Sequence, residues 1–141
     1  MKLRHVAIRC DDLEWGAKHY ADTFELEEVG RAGDIHKAGA VYLSDGVMNV
    51  ALIKVDPDFP HNKPDGLNHL GFVVEDVDAA VARAEANGCT SMMGNMSRED
   101  AKAAGITWEV KMKGPDGVAF DISDHGWPGN TQLYPGSKVP S

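Results

Sequence analysis

The sequence predicts an α+β protein built from two copies of one strand–helix–strand–strand–strand unit, its sheet cupped and its helices outside. Three observations carry this. Residues 3–12 read LRHVAIRCDD and residues 67–76 read LNHLGFVVED. A shift of 64 positions lays Leu3 on Leu67, His5 on His69, Ala7 on Gly71 and Asp12 on Asp76, and a repeat of that size marks two copies of one supersecondary unit. Both phrases alternate with period two, as strands do, and each runs into a helical segment. Between the copies lies DPDFPHNKPDG, whose three prolines and glycine mark a linker. The chain therefore divides as one domain over 1–141, with module 1 over 1–55, a linker over 56–66, module 2 over 67–124 and a tail over 125–141.

In module 1 the first strand is expected over 1–9. Asp11 and Asp12 then offer an N-cap for a helix over 13–23. A short strand follows over 26–30 and a glycine-containing loop over 31–39. A third strand spans 40–43. Asp45-Gly46 signals a hairpin into a fourth strand over 47–55. Module 2 repeats the plan, with a strand over 67–74, a helix over 77–86 stopped by Gly88, and strands over 90–93, 106–112 and 118–123. SREDAKAAG, inside an insertion over 94–105, adds a helical turn. The tail carries enough proline and glycine to run extended over the surface or a partner subunit.

A length of 141 residues is enough for a real core, and 43% hydrophobic with 26% charged residues is ordinary for a globular protein. No apolar run approaches membrane-spanning length, and the N-terminus lacks a secretory h-region. A cytoplasmic location is expected. The net charge of −8 argues against nucleic acid or anionic membrane as partner, while local charge still permits an anionic small substrate. Cys10 and Cys89 fit no redox or zinc spacing and read as free thiols.

Alternation places the chemistry. His5, Ala7 and Arg9 share one face of the first strand. His69 and Gly71 share the equivalent face of the fifth. In VAFDIS, the bulky Val118, Phe120 and Ile122 belong against helices, which sends Asp121 to the face holding both histidines. Two imidazoles and one carboxylate form a facial set of metal ligands that leaves about three positions open on a six-coordinate divalent ion. The same residue types also serve as hydrogen-bonded structural groups, so alternation alone leaves both readings open. Arg9 is a candidate for an anionic substrate or a solvated strand end. Trp108 is a core or dimer-contact residue, with cavity lining as the alternative. His125, just past the last strand, is a candidate acid–base group near the site if the tail folds back. His61, in the linker, could overhang the mouth of the cup.

LRHVAIRCDDLEWGAKHYADTFEL, LNHLGFVVEDVDAAVARAEANG and GPDGVAFDIS together resemble the vicinal oxygen chelate superfamily, which includes glyoxalase I, methylmalonyl-CoA epimerase, fosfomycin- and bleomycin-resistance proteins and extradiol dioxygenases. The resemblance implies paired βαβββ modules in a barrel-like mixed sheet around a divalent metal held by His5, His69 and Asp121. Asp121 stands where Glu is usual. A further ligand, expected five residues after Gly46, is here Ala51, which cannot ligate; Asn49 shares that face and is a candidate for substrate contact, with Arg9 and Trp108. The resemblance implies a small substrate chelated through adjacent oxygens, with Fe(II) or Mn(II) and ring-cleaving dioxygenation slightly favoured. The alternatives are Zn, Ni or Co with lyase, isomerase or epimerase chemistry, a metal-free drug-binding protein stacking its ligand on Trp108 and Trp127, or fosfomycin-type thiol transfer, for which Lys111 and Lys113 are the only cations near the last strands. A homodimer is also implied.

Overall fold

The computed structural model describes residues 1–56, 58 and 66–127. The expected linker falls mostly outside these residues, as do His61 and the tail beyond Trp127.

Module 1 runs β1 (Lys2–Arg9), α1 (Leu13–Phe24), β2 (Glu27–Asp34), β3 (Ala38–Ser44) and β4 (Asn49–Lys54). Module 2 runs β5 (Gly66–Val73), α2 (Val77–Ala86), β6 (Thr90–Ser91), the extra helix α3 (Arg98–Ala104), β7 (Glu109–Lys113) and β8 (Ala119–Ser123). The eight strands form one mixed sheet in the order β2-β3-β4-β1-β5-β8-β7-β6. The order is the same read outward from the centre in either direction. Each first strand lies parallel to the last strand of its own module, and β1 meets β5 antiparallel. The sheet is open: β2 and β6 are its ends. No described helix is long and apolar enough to cross a membrane.

The repeat reaches into the capping. Asp12 accepts from the Trp15 backbone N–H, and Asp76 from that of Ala79, each opening its helix with a buried residue, Leu13 and Val77. A side-chain oxygen at this position satisfies an otherwise orphaned donor. One face of the sheet packs on the helices in two clusters. Leu13, Ala17, Val41, Leu43 and Leu52 form the first, and Val74, Val77, Ala80, Val110, Met112 and Ile122 the second. The opposite face carries His5, His69 and Asp121.

One expected loop is a hairpin instead. Residues 31–34 extend β2 and residues 38–39 begin β3, joined by a turn in which Asp34 accepts from the backbone N–H of His36 and Lys37. The glycines that suggested a loop serve close backbone approach. A Cβ on Gly39 would stand 2.6 Å from the Ala32 carbonyl, and one on Gly33, at φ +69°, 2.7 Å from the Ala38 carbonyl. The strand expected over 106–112 begins only at Glu109.

Candidate metal centre

The centre sits where the two modules join. In the β1–β5 register His5 faces Gly71 and His69 faces Ala7, so the histidines are related as the modules are. Gly71 pairs on its other side with Asp121 of β8. Three ligand atoms converge. His5 Nε2 is 3.2 Å from His69 Nε2 and 3.3 Å from Asp121 Oδ2, and His69 Nε2 is 3.2 Å from the same oxygen. Asp121 Oδ2 is buried and makes no conventional hydrogen bond; it faces the two imidazoles.

This triangle fits a divalent ion. Three ligands about 2.1 Å from a metal stand about 3.0 Å apart in octahedral and about 3.4 Å apart in tetrahedral geometry, and the edges found lie between. His69 is set for ligation: its Nδ1 contacts Asn68 Oδ1 at 2.8 Å, and an Nδ1–H donated there leaves the Nε2 lone pair facing the centre. His5 is set differently. Arg4 Nε donates to its Nδ1 at 3.1 Å, so in neutral His5 the proton sits on Nε2, towards Asp121. Ligation by Nε2 therefore requires His5 to give up that proton or Arg4 to give up this contact.

Arg4 was not legible as a site residue. Strict alternation puts it opposite His5. A β-bulge intervenes: Leu3 pairs with Phe72 and His5 with Gly71, leaving Arg4 as an extra residue, and bulges re-aim side chains. Arg4 is fully buried. It donates to Asp121 Oδ1 and Glu109 Oε2, both at 2.7 Å, and to the His125 carbonyl at 2.9 Å. Glu109 was also missed, and Lys111 was expected only as a cation for the thiol-transfer alternative. Alternation separates them from Trp108, Val110 and Met112, and the register Lys111↔Asp121 brings them to the site face.

Trp127 closes the His5 side. Its ring stacks on the imidazole at 3.7 Å and 6°, with the Arg4 guanidinium 4.8 Å from the ring and Tyr42 edge-on at 5.1 Å. The chain past β8 thus folds back at least this far. His125 meets the site through its carbonyl, while its imidazole contacts Asp124 and lines a separate hollow with Arg98 and Trp108. Trp108 packs with the helix-side core, donates to the Met96 carbonyl and lies under Arg98; it is not brought to the triad. Asn49 is fully buried beside His5. Arg9 lies at the strand end, 3.8 Å from Asp11. Ala51, also buried, pairs with Ala7 and Tyr42.

Burial depresses the His5 pKa, and the Arg4 and His69 charges add to this against the pull of Asp121. Burial alone would raise Asp121, but the contacts from His5 and His69, with the positive charge of Arg4, outweigh it and hold the carboxyl well below its usual range. Both groups bind protons less readily when folded. Each contributes stability that is present above its unfolded pKa and lost as pH falls. The urea midpoint of metal-free protein is therefore expected to drop from about pH 6.5 downward and again below about pH 4. A midpoint unchanged between pH 7 and 5 would show that His5 is not held neutral by the fold.

Comparison with known proteins agrees with this architecture. The profile of the Glyoxalase/Bleomycin resistance protein/Dioxygenase superfamily matches residues 4–108, a span holding both histidines. Curated proteins give no match. Among solved structures, a hypothetical protein, BH1468, from Bacillus halodurans C-125 aligns with TM-score 0.67 at 15% identity, over 86% of this chain and 92% of that one. A single-substitution variant of the methylmalonyl-CoA epimerase of Streptomyces coelicolor, in complex with 2-nitronate-propionyl-CoA, gives 0.67 at 17%, over 86% and 95%. The methylmalonyl-CoA epimerase of Mycobacterium tuberculosis gives 0.65 at 20%, over 89% and 88%. Identities this low speak to the fold alone. With the family profile covering most of the chain, the protein belongs to the Glyoxalase/Bleomycin resistance protein/Dioxygenase superfamily.

Proposed function

We propose that the protein is a divalent-metal-dependent enzyme in which His5, His69 and Asp121 hold the ion and a small substrate chelates it through two adjacent oxygens. The observation that carries this reading is the 3.2–3.3 Å triangle of Nε2, Nε2 and Oδ2, with Ala51 where a fourth ligand would stand. Three protein ligands favour Fe(II) or Mn(II) and ring-cleaving dioxygenation of a catechol-like substrate. The bound ion would supply Lewis-acid activation of the chelated oxygens. The chain's own residues do the rest. Trp127 and Tyr42 keep water from the His5 side. Arg4 neutralises Asp121 and fixes Glu109. The Glu109 carboxylate, whose side chain is 27% exposed, is a proton acceptor on the site face.

That carboxylate favours a second reading, proton transfer by a lyase, isomerase or epimerase with Zn, Ni or Co, in keeping with the fold shared with methylmalonyl-CoA epimerases. The drug-binding alternative loses support, because Trp108 and Trp127 already stack on groups of this chain. The proposal includes a cytoplasmic homodimer without nucleic-acid or membrane partners, consistent with the net charge of −8.

Elemental analysis of protein purified without chelators tests it. Near-stoichiometric metal is expected in the wild type, and His69→Ala is expected to bind at least about a hundred-fold more weakly. Stoichiometric metal in the variant, or none in the wild type even on titration, would sink the proposal. Iron or manganese selects catechol assays under oxygen; zinc, nickel or cobalt selects proton-transfer assays.

A further inference from the structure

A cavity of about 240 Å³ opens beside the triad on the side that Trp127 leaves uncovered. Of the three triad residues, His69 lines it. Ile53, Val55, Met92 and Met93 form apolar wall, and Lys111 is the one cation among its described lining residues. Lys111 Nζ stands 3.8 Å from Asp121 Oδ2 and 3.7 Å from Glu109 Oε1. Both are ion pairs wider than hydrogen-bond reach, so the ammonium keeps N–H donors for a further acceptor. Its strand position places it at the site: Lys111 is the direct β7 neighbour of Asp121 on β8.

We propose that this cavity takes a small organic anion, with Lys111 anchoring a carboxylate beside the substrate's chelating oxygens and the apolar wall receiving a short aliphatic or aromatic body. This rests on the metal reading above and names its substrate class. Arg4 does not compete for the anion, because it is fully buried and donates to Asp121 and Glu109. The negative total charge does not oppose it either, since Arg4 and Lys111 together offset the Asp121 and Glu109 carboxylates and leave this cluster without net negative charge. The volume is below that of a drug-sized site, so only a small acid, or the acyl end of something larger, fits inside.

Calorimetric titration with salicylate and its neutral analogue salicyl alcohol tests this, on metal-free and on Mn(II)-loaded protein. Salicylate is expected to bind the wild type about ten-fold more tightly. Lys111→Met is expected to abolish that preference, leaving salicyl alcohol affinity and metal content as they were, and Lys111→Arg to keep most of it. Equal affinity for the two probes in the wild type, absence of binding by both, or a preference that survives Lys111→Met would overturn the proposal. The two readings fail separately. A Lys111-dependent preference in protein that takes up no metal sinks the metal centre and supports the anion site. Metal bound through His69 with no such preference does the reverse.

Discussion

Arg4→Met is expected to lower the free energy of unfolding by about 3–5 kcal/mol, the usual cost of removing one partner from a buried ion pair. Methionine replaces much of the side chain's volume although it is two atoms shorter, so the effect is mainly that of lost charge and hydrogen bonding. Asp121 is wholly buried and loses the cation 2.7 Å from Oδ1; Glu109 and the His125 carbonyl lose their donors at 2.7 and 2.9 Å. The cation also stands 4.8 Å from the Trp127 ring, which it helps hold over His5. Lysine is no substitute, because a single ammonium does not reproduce the planar fork that meets several acceptors at once. Urea denaturation measures the loss. Arg4→Met combined with Asp121→Asn is expected to cost less than the sum of the two, since the second change removes the stranded charge. A loss under about 1 kcal/mol, or strict additivity, would mean that water reaches these carboxylates and that Arg4 does not organise the site.

Gly71→Ala is expected to abolish stoichiometric metal binding and to destabilise the fold by about 1–3 kcal/mol or more, as overpacking does. A Cβ at Gly71 would lie 2.0 Å from His5 Cε1 and 2.2 Å from Nδ1. The ring has nowhere easy to go. Trp127 stacks on it at 3.7 Å, and Arg4 holds Nδ1 at 3.1 Å. The symmetry-related position is less demanding, since Ala7 keeps its methyl opposite His69. In a His5→Ala background the same substitution is expected to be nearly neutral, because the obstructing ring is gone. Metal titration and urea melts on the two single variants and the double variant decide this. Equal cost with and without the His5 ring would place the strain in the backbone instead.

Much of this was legible in the chain itself. The 64-residue repeat foretold the two modules, and Asp11-Asp12 the start of the first helix. Period-two alternation carried His5, His69 and Asp121 to one face without any knowledge of the fold. These are local properties: a strand alternates and a cap accepts whatever the rest of the molecule does. The residues around the triad were not legible, because each depends on a non-local relation. Arg4 joins the site through a bulge, one extra residue in β1 against β5, which reverses the face that alternation assigns. Glu109 and Lys111 join it through the β7–β8 register, and alternation within ITWEVKM could not say which of its two faces meets Asp121. The glycines at 33 and 39 looked like loop signals because the same residue type serves loops and close strand approach.

The sequence by itself determined the modular plan, the cap of the first helix and the shared face of His5, His69 and Asp121, since these follow from periodicity and side-chain chemistry within short segments. Only the tertiary structure decided that Gly71 makes room for the His5 ring, that Arg4 rather than solvent neutralises Asp121, and that Trp127 shuts one side while Lys111 lines the cavity on the other. Those depend on which strands become neighbours and in what register. Pairing across the sheet sets them through long-range packing that no single stretch of chain encodes.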